Sequence, residues 1–191
     1  DGCGHYRVSS ANRMSALWNM IADPVPDIVA LQEVTAEMQA ELQRCFSASD
    51  WRFYRRSCHS EDYFNLTVVR TACCASAEKS SSYLFPQTSN GRHLVKVRPD
   101  GWVVCNVHAE SGSQRRAKNE RKSQLEYMST LCAPGDGIVR VLVGDFNARE
   151  GEDACLIQAG WRDAWSLTKK SQAWTWKHQN GQHTGRYDRV Y

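Results

Sequence analysis

The segment Val139-Arg140-Val141-Leu142-Val143-Gly144-Asp145-Phe146-Asn147 joins a short apolar run to two polar side chains. Such a run, followed at once by a glycine, predicts a buried strand that leads into Asp145. Because α/β folds commonly place active sites at the carboxyl ends of their strands, Asp145 and Asn147 are candidate functional residues. Asp and Asn around a glycine are also typical of a tight turn, and both interpretations are open at this point.

Polar side chains follow two other predicted strands in the same way. Glu33 comes after Ile28-Val29-Ala30-Leu31, and His108 and Glu110 come after the apolar run Trp102–Val107. Three strand ends that carry Glu, His and Asp or Asn predict one converging polar site. For each side chain alone, the alternative is a structural role, such as capping a helix or satisfying backbone groups in a turn.

The rest of the chain alternates between helical and strand patterns. Helical spacing predicts three helices. The first contains Ala11, Met14, Leu17, Trp18 and Ile21 and ends at Pro24. The second contains Met38, Leu42 and Phe46, with Thr35 as its N-cap, and the third runs from Gln114 to Leu131. Besides the strand over Trp102–Val107, three further strands are predicted, over Trp51–Arg55, Tyr63–Arg70 and His93–Val97. The serine-rich segment Lys79–Gly91 is typical of a loose surface loop.

Length and composition indicate a single globular domain. The chain has 191 residues, of which 41% are hydrophobic, and its helices and strands predict a mixed fold whose sheets need helical cover. No apolar run approaches the roughly 18 residues of a membrane helix, so we expect no membrane partner. The net charge of +3 is compatible with a polyanionic partner without selecting one.

Eight cysteines are compatible with either a disulfide framework or free thiols. Cys105 lies inside an apolar strand, and the adjacent Cys73 and Cys74 would point to opposite faces of a strand. The absence of a Cys-x-x-Cys pair argues against a zinc site. We therefore expect free, mostly buried thiols in a reducing compartment. The sequon at Asn65 lies in a predicted strand, and we interpret it as a chance match.

The strand-end motifs resemble those of the endonuclease/exonuclease/phosphatase superfamily in their order and spacing. They are Leu31-Gln32-Glu33-Val34, Asn106-Val107-His108-Ala109-Glu110-Ser111 and Gly144-Asp145-Phe146-Asn147. Within the superfamily, the tyrosyl-DNA phosphodiesterase 2 branch has motifs similar to His108–Ser111, Asp145–Arg149, Trp174–Trp176 and Arg186–Arg189. The resemblance implies an α/β fold, a two-sheet α/β sandwich of the DNase I-like type, with helices covering the outer faces.

The resemblance also implies one catalytic domain over residues 1–191 that lacks the first and last strands of the family fold. Members of the superfamily have an Asn just before the position of Asp1 and a Ser-Asp-His motif beyond Tyr191. Asp1-Gly2 resembles the end of a Trp-Asn-x-Asp-Gly segment whose Asp lies near the metal. We therefore expect a chain truncated at both ends.

By resemblance, Glu33 and Asp1 would hold a Mg²⁺ or Mn²⁺ ion, a hard cation that prefers carboxylate oxygen. Asp145 would be the general base that activates water, and Asn147 would hydrogen-bond the phosphate or the water. His108 and Ser111 would contact phosphate oxygens, with a protonated imidazole favouring the anion. Two acidic residues would support the site, Glu110 from behind it and Asp188 by orienting the histidine of the last strand.

Four residues are expected to contact substrate or DNA: Arg149, Trp176, Tyr63 and Gly2. Arg149 would bind phosphate through its guanidinium fork, and Trp176 would stack on a terminal base. A core position for Trp176 beside Trp174 is equally open. The basic stretch Arg115–Lys122 is either a solvated helix face or a contact for DNA phosphates.

The implied function is hydrolysis of 5′-phosphotyrosyl-DNA linkages, in DNA repair, in the nucleus and also in the cytoplasm. DNA with a 5′-linked tyrosine adduct is the implied partner. One alternative is another superfamily activity, namely that of an abasic endonuclease, a deadenylase or a phosphoinositide phosphatase. A second alternative is a DNA-binding relative that has lost catalysis.

Overall fold

A computed structural model of the chain describes residues 16–17, 19–21, 23–56, 62–74, 80–131, 137–168, 174–178, 181 and 183–191. The candidate residues Asp1 and Gly2 lie outside the described residues, as do Ala11, Met14 and Trp18 of the first predicted helix. Within that predicted helix, residues 16–17 and 19–21 are helical, and Leu17 and Ile21 pack against buried hydrophobic residues.

The described residues contain ten strands. They are β1 (Ile28–Val34), β2 (Trp51–Arg55), β3 (Phe64–Arg70), β4 (Ser81–Leu84), β5 (His93–Val97), β6 (Trp102–His108), β7 (Val139–Asp145), β8 (Trp176–Lys177), β9 (Thr184–Gly185) and β10 (Asp188–Val190). One sheet has the order β1-β3-β2, and a second has the order β10-β7-β6-β5-β4. Strands β8 and β9 form a separate antiparallel pair.

Four α-helices accompany these strands in the described part of the chain. They are α1 (Ala36–Cys45), α2 (Arg115–Leu131), α3 (Ala154–Gln158) and α4 (Ala164–Thr168), and a short 3-10 helix covers Thr71–Cys73. The hydroxyl of Thr35 accepts a hydrogen bond from Met38 N at 3.2 Å, which confirms the predicted N-cap of α1. Helix α2 begins one residue later than predicted.

Strand alternation divides the apolar side chains among three layers. Val29, Leu66 and Val68 face outward from the first sheet and pack with Leu42 of α1 and with Phe46, the residue after that helix. Outward residues of the second sheet, among them Leu94, Val107 and Leu142, pack with Leu125 and Met128 of α2. Between the sheets lies a third cluster of Val69, Cys74, Val95, Val97 and Val104. The structure is therefore the predicted two-sheet sandwich with helices on its outer faces.

The prediction of a loose loop over Lys79–Gly91 is wrong for its described part. Residues 81–84 form β4 at the edge of the second sheet, and Ser89 donates hydrogen bonds to the Glu120 carboxylate through both its backbone N–H and its hydroxyl. The serine-rich composition therefore did not indicate the edge strand β4 or the turn that Ser89 holds by hydrogen bonds. The sequence analysis also did not identify α3, α4 or β8–β10.

The five cysteines in the described part of the chain are free, as expected. Only Cys74 and Cys105 are fully buried, whereas Cys45 is exposed, so the expectation of mostly buried thiols is wrong. Asn65 is 1% exposed, and its amide donates to the backbone oxygen of His93 at 2.9 Å, so the sequon at this position is inaccessible in the fold.

Among the residues that the structure describes, no helix combines the length and the apolar character that crossing a bilayer requires.

Candidate active site

Glu33, His108 and Asp145 meet at one edge of the sandwich. His108 Nε2 lies 3.9 Å from Glu33 Oε1 and 3.9 Å from Asp145 Oδ2. Strands β6 and β7 are parallel, and His108 lies directly opposite Asp145 in their register. Glu33 comes from the other sheet, near the end of β1. The three predicted strand ends therefore form a single site.

A buried amide network fixes the two sheets relative to each other beside this site. Asn106 of β6 is fully buried, and its amide donates to the backbone oxygens of Leu31 at 3.1 Å and Leu66 at 3.0 Å. Its own oxygen accepts a hydrogen bond from Gln32 Nε2 at 2.6 Å. Because Asn106 lies two residues before His108 and Gln32 lies next to Glu33, this network sets the distance between those side chains.

Gly144 allows β7 to approach β6 immediately before Asp145. Its φ of +136° is one that side-chain-bearing residues rarely adopt, and a Cβ atom at this position would lie 2.2 Å from Val107 O. A glycine is therefore required here by both the backbone conformation and the space. The close approach places Asp145 directly beside His108.

Two non-glycine residues of the described chain have a positive φ, and both are predicted site residues. Glu33 has a φ of 55° and Asn147 a φ of 49°. Glu33 lies in an irregularity of the β1–β3 pairing between Leu31 and Val34. Asn147 N donates to Asp145 Oδ1 at 2.8 Å, and Asn147 Nδ2 donates to Ala109 O at 3.1 Å. Strained backbone of this kind persists where the surrounding contacts enforce it, as these do.

Arg92 is a central site residue that the sequence analysis missed. Its guanidinium donates to His108 Nδ1 at 2.8 Å and to Ser111 Oγ at 3.3 Å, and the residue is 6% exposed. The Arg92 Cζ atom lies 5.7 Å from the centroid of the Tyr63 ring. Among the described residues no carboxylate pairs with this guanidinium, and its Nε atom is buried without a hydrogen-bond partner. The site therefore holds a buried positive charge that is available to an anion.

The contact with Arg92 determines the protonation of His108. A guanidinium can only donate, so Nδ1 accepts and the ring proton resides on Nε2, which faces Glu33 and Asp145. Burial, with the positive charge of Arg92 and the nearby His93, lowers the pKa of His108 to about 3. The predicted protonated imidazole is therefore wrong. His108 is a neutral hydrogen-bond donor, and Arg92 carries the charge that attracts an anion.

Asp145 is a carboxyl group whose surroundings disfavour its ionised form. Burial raises the pKa of Asp145 to about 6, and the charges of Asp188 and Glu33 act in the same direction. The hydrogen bond from Asn147 N and the charge of Arg92 oppose this rise only in part. Asp188 lies directly opposite Asp145 in the β10–β7 pairing. At neutral pH the group is thus an ionised carboxylate of unusually high basicity.

The acidic side of the site fits a hard divalent cation. The Glu33 side chain is 66% exposed, and its charge and that of Asp188 both disfavour ionised Asp145, an effect that a bound cation would relieve. Within the described ranges no group of three or more His, Cys, Asp or Glu side chains forms a metal site. Mg²⁺ characteristically takes one or two protein carboxylates and keeps waters and phosphate oxygens, which this donor set matches.

Glu110 lies behind the site and anchors the turn that precedes Arg92. It is 1% exposed, and it accepts hydrogen bonds from Thr88 Oγ1 at 2.9 Å, from Ser89 N at 3.2 Å and from the Asn90 side chain. These contacts connect the strand end that carries His108 to the segment that carries Arg92. Glu110 therefore links these two segments, and its support of catalysis stays a prediction.

The basic stretch Arg115–Lys122 has two kinds of member. Arg115, Arg116 and Lys118 are exposed, as expected of a solvated helix face. Arg121 is fully buried, pairs with both carboxylate oxygens of Glu152 at 2.7 and 3.0 Å, and donates to the backbone of residues 110 and 112. Arg121 therefore joins the loop after β6 to the loop after β7 and is not available to DNA.

Arg149, Tyr187 and Trp176 form a surface that leads away from the catalytic groups. The guanidinium of Arg149 donates to Asn147 O at 2.5 Å, and its Cζ atom lies 5.2 Å from the Tyr187 ring centroid. The Tyr187 and Trp176 ring centroids are 5.6 Å apart. Trp174 is 43% exposed and Trp176 is 40% exposed, so neither tryptophan belongs to the core.

The fold and the candidate active site agree with the family to which the sequence belongs. The sequence pattern of the Endonuclease/Exonuclease/phosphatase family matches residues 2–191, and the chain belongs to this family. The prediction of a DNase I-like fold and a relationship to tyrosyl-DNA phosphodiesterase 2 (TDP2) is confirmed by the comparisons with known proteins.

Individual proteins to which this chain is similar include TDP2 proteins. A curated 5′-tyrosyl-DNA phosphodiesterase of Caenorhabditis briggsae is 27% identical over 198 residues, which cover 96% of this chain and 55% of the relative. The chain thus spans about half the length of that protein. Humanized D. rerio TDP2 has a TM-score of 0.76 and 25% identity, covering 95% of this chain and 75% of that one. D. rerio TDP2 complexed with a single-strand DNA product has a TM-score of 0.73 and 22% identity, covering 97% and 78%.

Proposed function

We propose that the protein is a Mg²⁺-dependent phosphodiesterase that hydrolyses 5′-phosphotyrosyl-DNA linkages in DNA repair. The observation that carries this proposal is the meeting of Glu33, His108 and Asp145 beside a buried Arg92. Such a site combines a base, neutral donors and a fixed positive charge around the space for one phosphate. The similarity to TDP2 proteins supports the choice of substrate class.

Asp145 is the group that accepts the proton of the attacking water. Its Oδ1 atom is occupied by the hydrogen bond from Asn147 N, so Oδ2 is the oxygen available to a water molecule. A base whose pKa is near 6 is mostly ionised at neutral pH and still accepts a proton effectively. The environment of Asp145 therefore suits general-base catalysis.

The phosphate would bind between neutral donors and Arg92. His108 presents Nε2–H towards the site, and Ser111 already accepts from Arg92, so its hydroxyl proton is directed to another acceptor. The Arg92 charge then stabilises the anionic oxygens of the phosphate. When bound, the metal ion at Glu33 supplies charge neutralisation for the phosphate and for the departing oxygen.

The leaving group would lie in the cavity beside Arg92. This cavity has a volume of about 230 Å³, and Tyr63, Asn90, Arg92 and His108 are among its lining residues. The guanidinium above the Tyr63 ring offers both an aromatic face and a positive charge to an aromatic leaving group. These features fit a phenolate leaving group. Hydrolysis of a tyrosyl ester releases a phenolate, whereas hydrolysis of abasic DNA, poly(A) or a lipid headgroup does not.

A panel of substrates tests this proposal. Rates with Mg²⁺ and with EDTA are measured for 5′-tyrosyl DNA, abasic duplex, poly(A) and phosphoinositide, using the protein in its natural length. We expect Mg²⁺-dependent release of tyrosine from the first substrate at a rate well above the other three. Turnover confined to the other three would contradict the substrate class, and a lack of turnover on all four would favour a non-catalytic DNA-binding protein.

A matched pair of arginine variants tests the site itself. Arg92→Met removes the buried charge that precedes β5, whereas Arg98→Met removes an exposed charge at the other end of the same strand. We expect Arg92→Met alone to reduce kcat/KM for 5′-tyrosyl DNA, by about 10²-fold. Thermal unfolding of both variants separates a catalytic loss from misfolding, and equal activity of the two folded variants would contradict the role of Arg92.

We also propose that the protein acts in the nucleus. Fractionation of cells into nucleus and cytoplasm, with the tyrosine-releasing activity as the readout, would test this location.

A further inference from the structure

The cavity beside Arg92 has a buried end and an exposed end of different chemistry. At the buried end, Arg92 is 6% exposed and His108 is 3% exposed, and both belong to the proposed phosphate site. Asp62 and Asn90 also line the cavity, and both are exposed. We call these two side chains the acceptor rim. A ligand whose phosphate binds at the buried end therefore directs its other end towards the acceptor rim.

Asp62 brings a negative charge to the acceptor rim. Of the described residues that line the cavity, Asp62 alone carries a carboxylate. In the part of the chain that the structure describes, Asp62 forms no ion pair with a Lys, Arg or His side chain. An unpaired carboxylate at the mouth of a cavity attracts a cationic group of the ligand.

Asn90 adds a neutral hydrogen-bond acceptor. Its side-chain nitrogen donates to Glu110 Oε1, so its amide oxygen is the atom left for a ligand. Asn90 belongs to the turn that directly precedes Arg92, so one turn carries both the phosphate-binding charge and a part of the acceptor rim. Asp62 and Asn90 therefore both offer oxygen atoms to an ammonium or N–H group.

The size of the cavity limits how much of an adduct it holds. Its volume is about 230 Å³, which is below the roughly 300–1,000 Å³ of pockets that enclose drug-sized ligands. One tyrosine therefore suits the cavity, whereas a flanking peptide has to leave through the acceptor rim. In a tyrosine held by its phenolic oxygen, the α-amino group lies at the opposite end of the residue, next to that rim.

We propose that the acceptor rim recognises the free α-ammonium group of the tyrosine, so that adducts whose tyrosine is the N-terminal residue are preferred. The inference rests on the proposed function and specifies its leaving group. A peptide bond on the amino side of the tyrosine replaces the ammonium by a neutral amide and removes the attraction to Asp62. A free α-carboxylate adds a charge of the same sign as Asp62 and is disfavoured further.

Three DNA substrates with the same 5′ phosphodiester test the inference on the protein in its natural length. Their leaving groups are tyrosinamide, N-acetyltyrosinamide and N-acetyltyrosine, which are positive, neutral and negative. We expect kcat/KM for the first to exceed that for the second about fivefold, the upper range for an exposed ion pair. Equal values for these two substrates would overturn the inference.

A matched pair of variants assigns this preference to Asp62. Asp62→Asn should bring the first two substrates to within about twofold of each other. Asp50→Asn removes an exposed carboxylate beside the other end of β3 and should keep the preference of the parent. A preference that Asp62→Asn retains, or that both variants lose, would overturn the assignment.

Charge reversal distinguishes electrostatic recognition from a fit of shape. In Asp62→Lys we expect N-acetyltyrosine to become the best leaving group of the three, because the sign of the charge at the acceptor rim has changed. The preference of the parent should weaken as salt is added, since exposed charges are screened. An unchanged order of the three substrates in a folded Asp62→Lys variant would overturn the role of charge.

Binding without hydrolysis separates the inference from the proposed function. Calorimetric titration in EDTA compares O-phosphotyrosinamide with its N-acetyl derivative. If the parent binds the first about fivefold more tightly and Asp62→Asn does not, while no form of the protein hydrolyses the DNA substrates, the acceptor rim stands and the proposed function fails. If all three DNA substrates are hydrolysed at one rate, the proposed function stands and the recognition of the α-ammonium group fails.

Discussion

The catalytic edge of the sandwich and the β8–β9 hairpin are built in opposite ways. At the edge, Asn106, Glu110 and Arg121 are fully or almost fully buried, and each makes at least three hydrogen bonds to neighbouring segments. On the hairpin, Trp176 and His178 are exposed, and the centroids of their rings lie 5.7 Å apart. The edge fixes reacting groups in place, and the hairpin presents surfaces that a flexible strand can cover.

This difference predicts how substitutions in the two regions behave. A buried polar group costs free energy when its partner is removed, so changes at the edge should alter the stability of the fold or the chemistry. An exposed ring has few partners to lose, so changes on the hairpin should alter affinity for a ligand and leave stability nearly constant. The measurements below test that division.

The largest effect is expected from Asp145→Asn. An amide keeps the shape of the side chain and still accepts from Asn147 N, but it cannot take a proton from water. We expect kcat for the tyrosyl substrate to fall about 10³-fold, the typical contribution of a general base. Rapid-quench or steady-state kinetics provide the measurement. Turnover within about tenfold of the parent protein, in a folded variant, would remove Asp145 from the mechanism.

The second effect concerns stability at the edge, through Arg121→Met. The substitution keeps apolar bulk but removes the guanidinium from two backbone oxygens and from the Glu152 carboxylate, which keeps its hydrogen bond from Arg149 N. Breaking a buried ion pair on one side typically costs about 3–5 kcal/mol, and we expect that loss in the free energy of unfolding by urea.

Arg116→Met is the matched control on the same helix. Arg116 pairs with Glu120 at 2.8 Å, but its side chain is 77% exposed. The Arg116 end of this i,i+4 pair lies in solvent, and the Glu120 side chain, which is 10% exposed, keeps its hydrogen bonds from Ser89. We therefore expect this variant to lose only about 0.5 kcal/mol and to unfold close to the parent. If the two variants lost similar free energies of unfolding, burial would not explain which arginines of the stretch Arg115–Lys122 stabilise the fold.

The third effect follows from the raised pKa of Asp145 and is measured without metal. Its pKa is raised from 3.8 to about 6 in the folded protein, so between these values the folded state keeps a proton that the unfolded state has released. Stability therefore declines as the pH rises from about 4 to about 6, whereas Asp145→Asn lacks this decline. We expect the variant to exceed the parent by about 2 kcal/mol at pH 7 in EDTA, and by much less at pH 4. A difference that does not change with pH would contradict the raised pKa.

The catalytic edge could be predicted from sequence to the extent that strand periodicity marks it. Glu33, His108 and Asp145 each follow an apolar run, and such runs identify strand ends without any knowledge of how the strands are arranged. Arg92 precedes a strand instead of following one, and no motif surrounds it. Its proximity to His108 arises from the pairing of β5 with β6, which is a tertiary feature.

Other errors have related physical causes. Ser81 and Ser82 have low strand propensity, yet they pair with Lys96 and Val95, respectively, because the edge of a sheet tolerates polar residues on its exposed strand. Protonated His108 was a reasonable expectation for an isolated histidine, and it failed because burial, together with the charge of Arg92, lowers the pKa of His108. Trp174 and Trp176 were inseparable by alternation alone, and only the ring contacts of the hairpin distinguish them.

That distinction gives the smallest predicted effect, a comparison of Trp176→Ala with Trp174→Ala. The two side chains are almost equally exposed, but in the part of the chain that the structure describes only Trp176 makes aromatic contacts. Stacking of one base on an aromatic ring contributes about 1–3 kcal/mol, so Trp176→Ala should raise the Kd for a single-stranded oligonucleotide about tenfold. Trp174→Ala should change it less, and both variants should keep the parent's Tm because neither ring is buried. Equal losses would mean that affinity follows exposed apolar area, and Trp174 would then have to be counted with Trp176 as part of the ligand-binding hairpin.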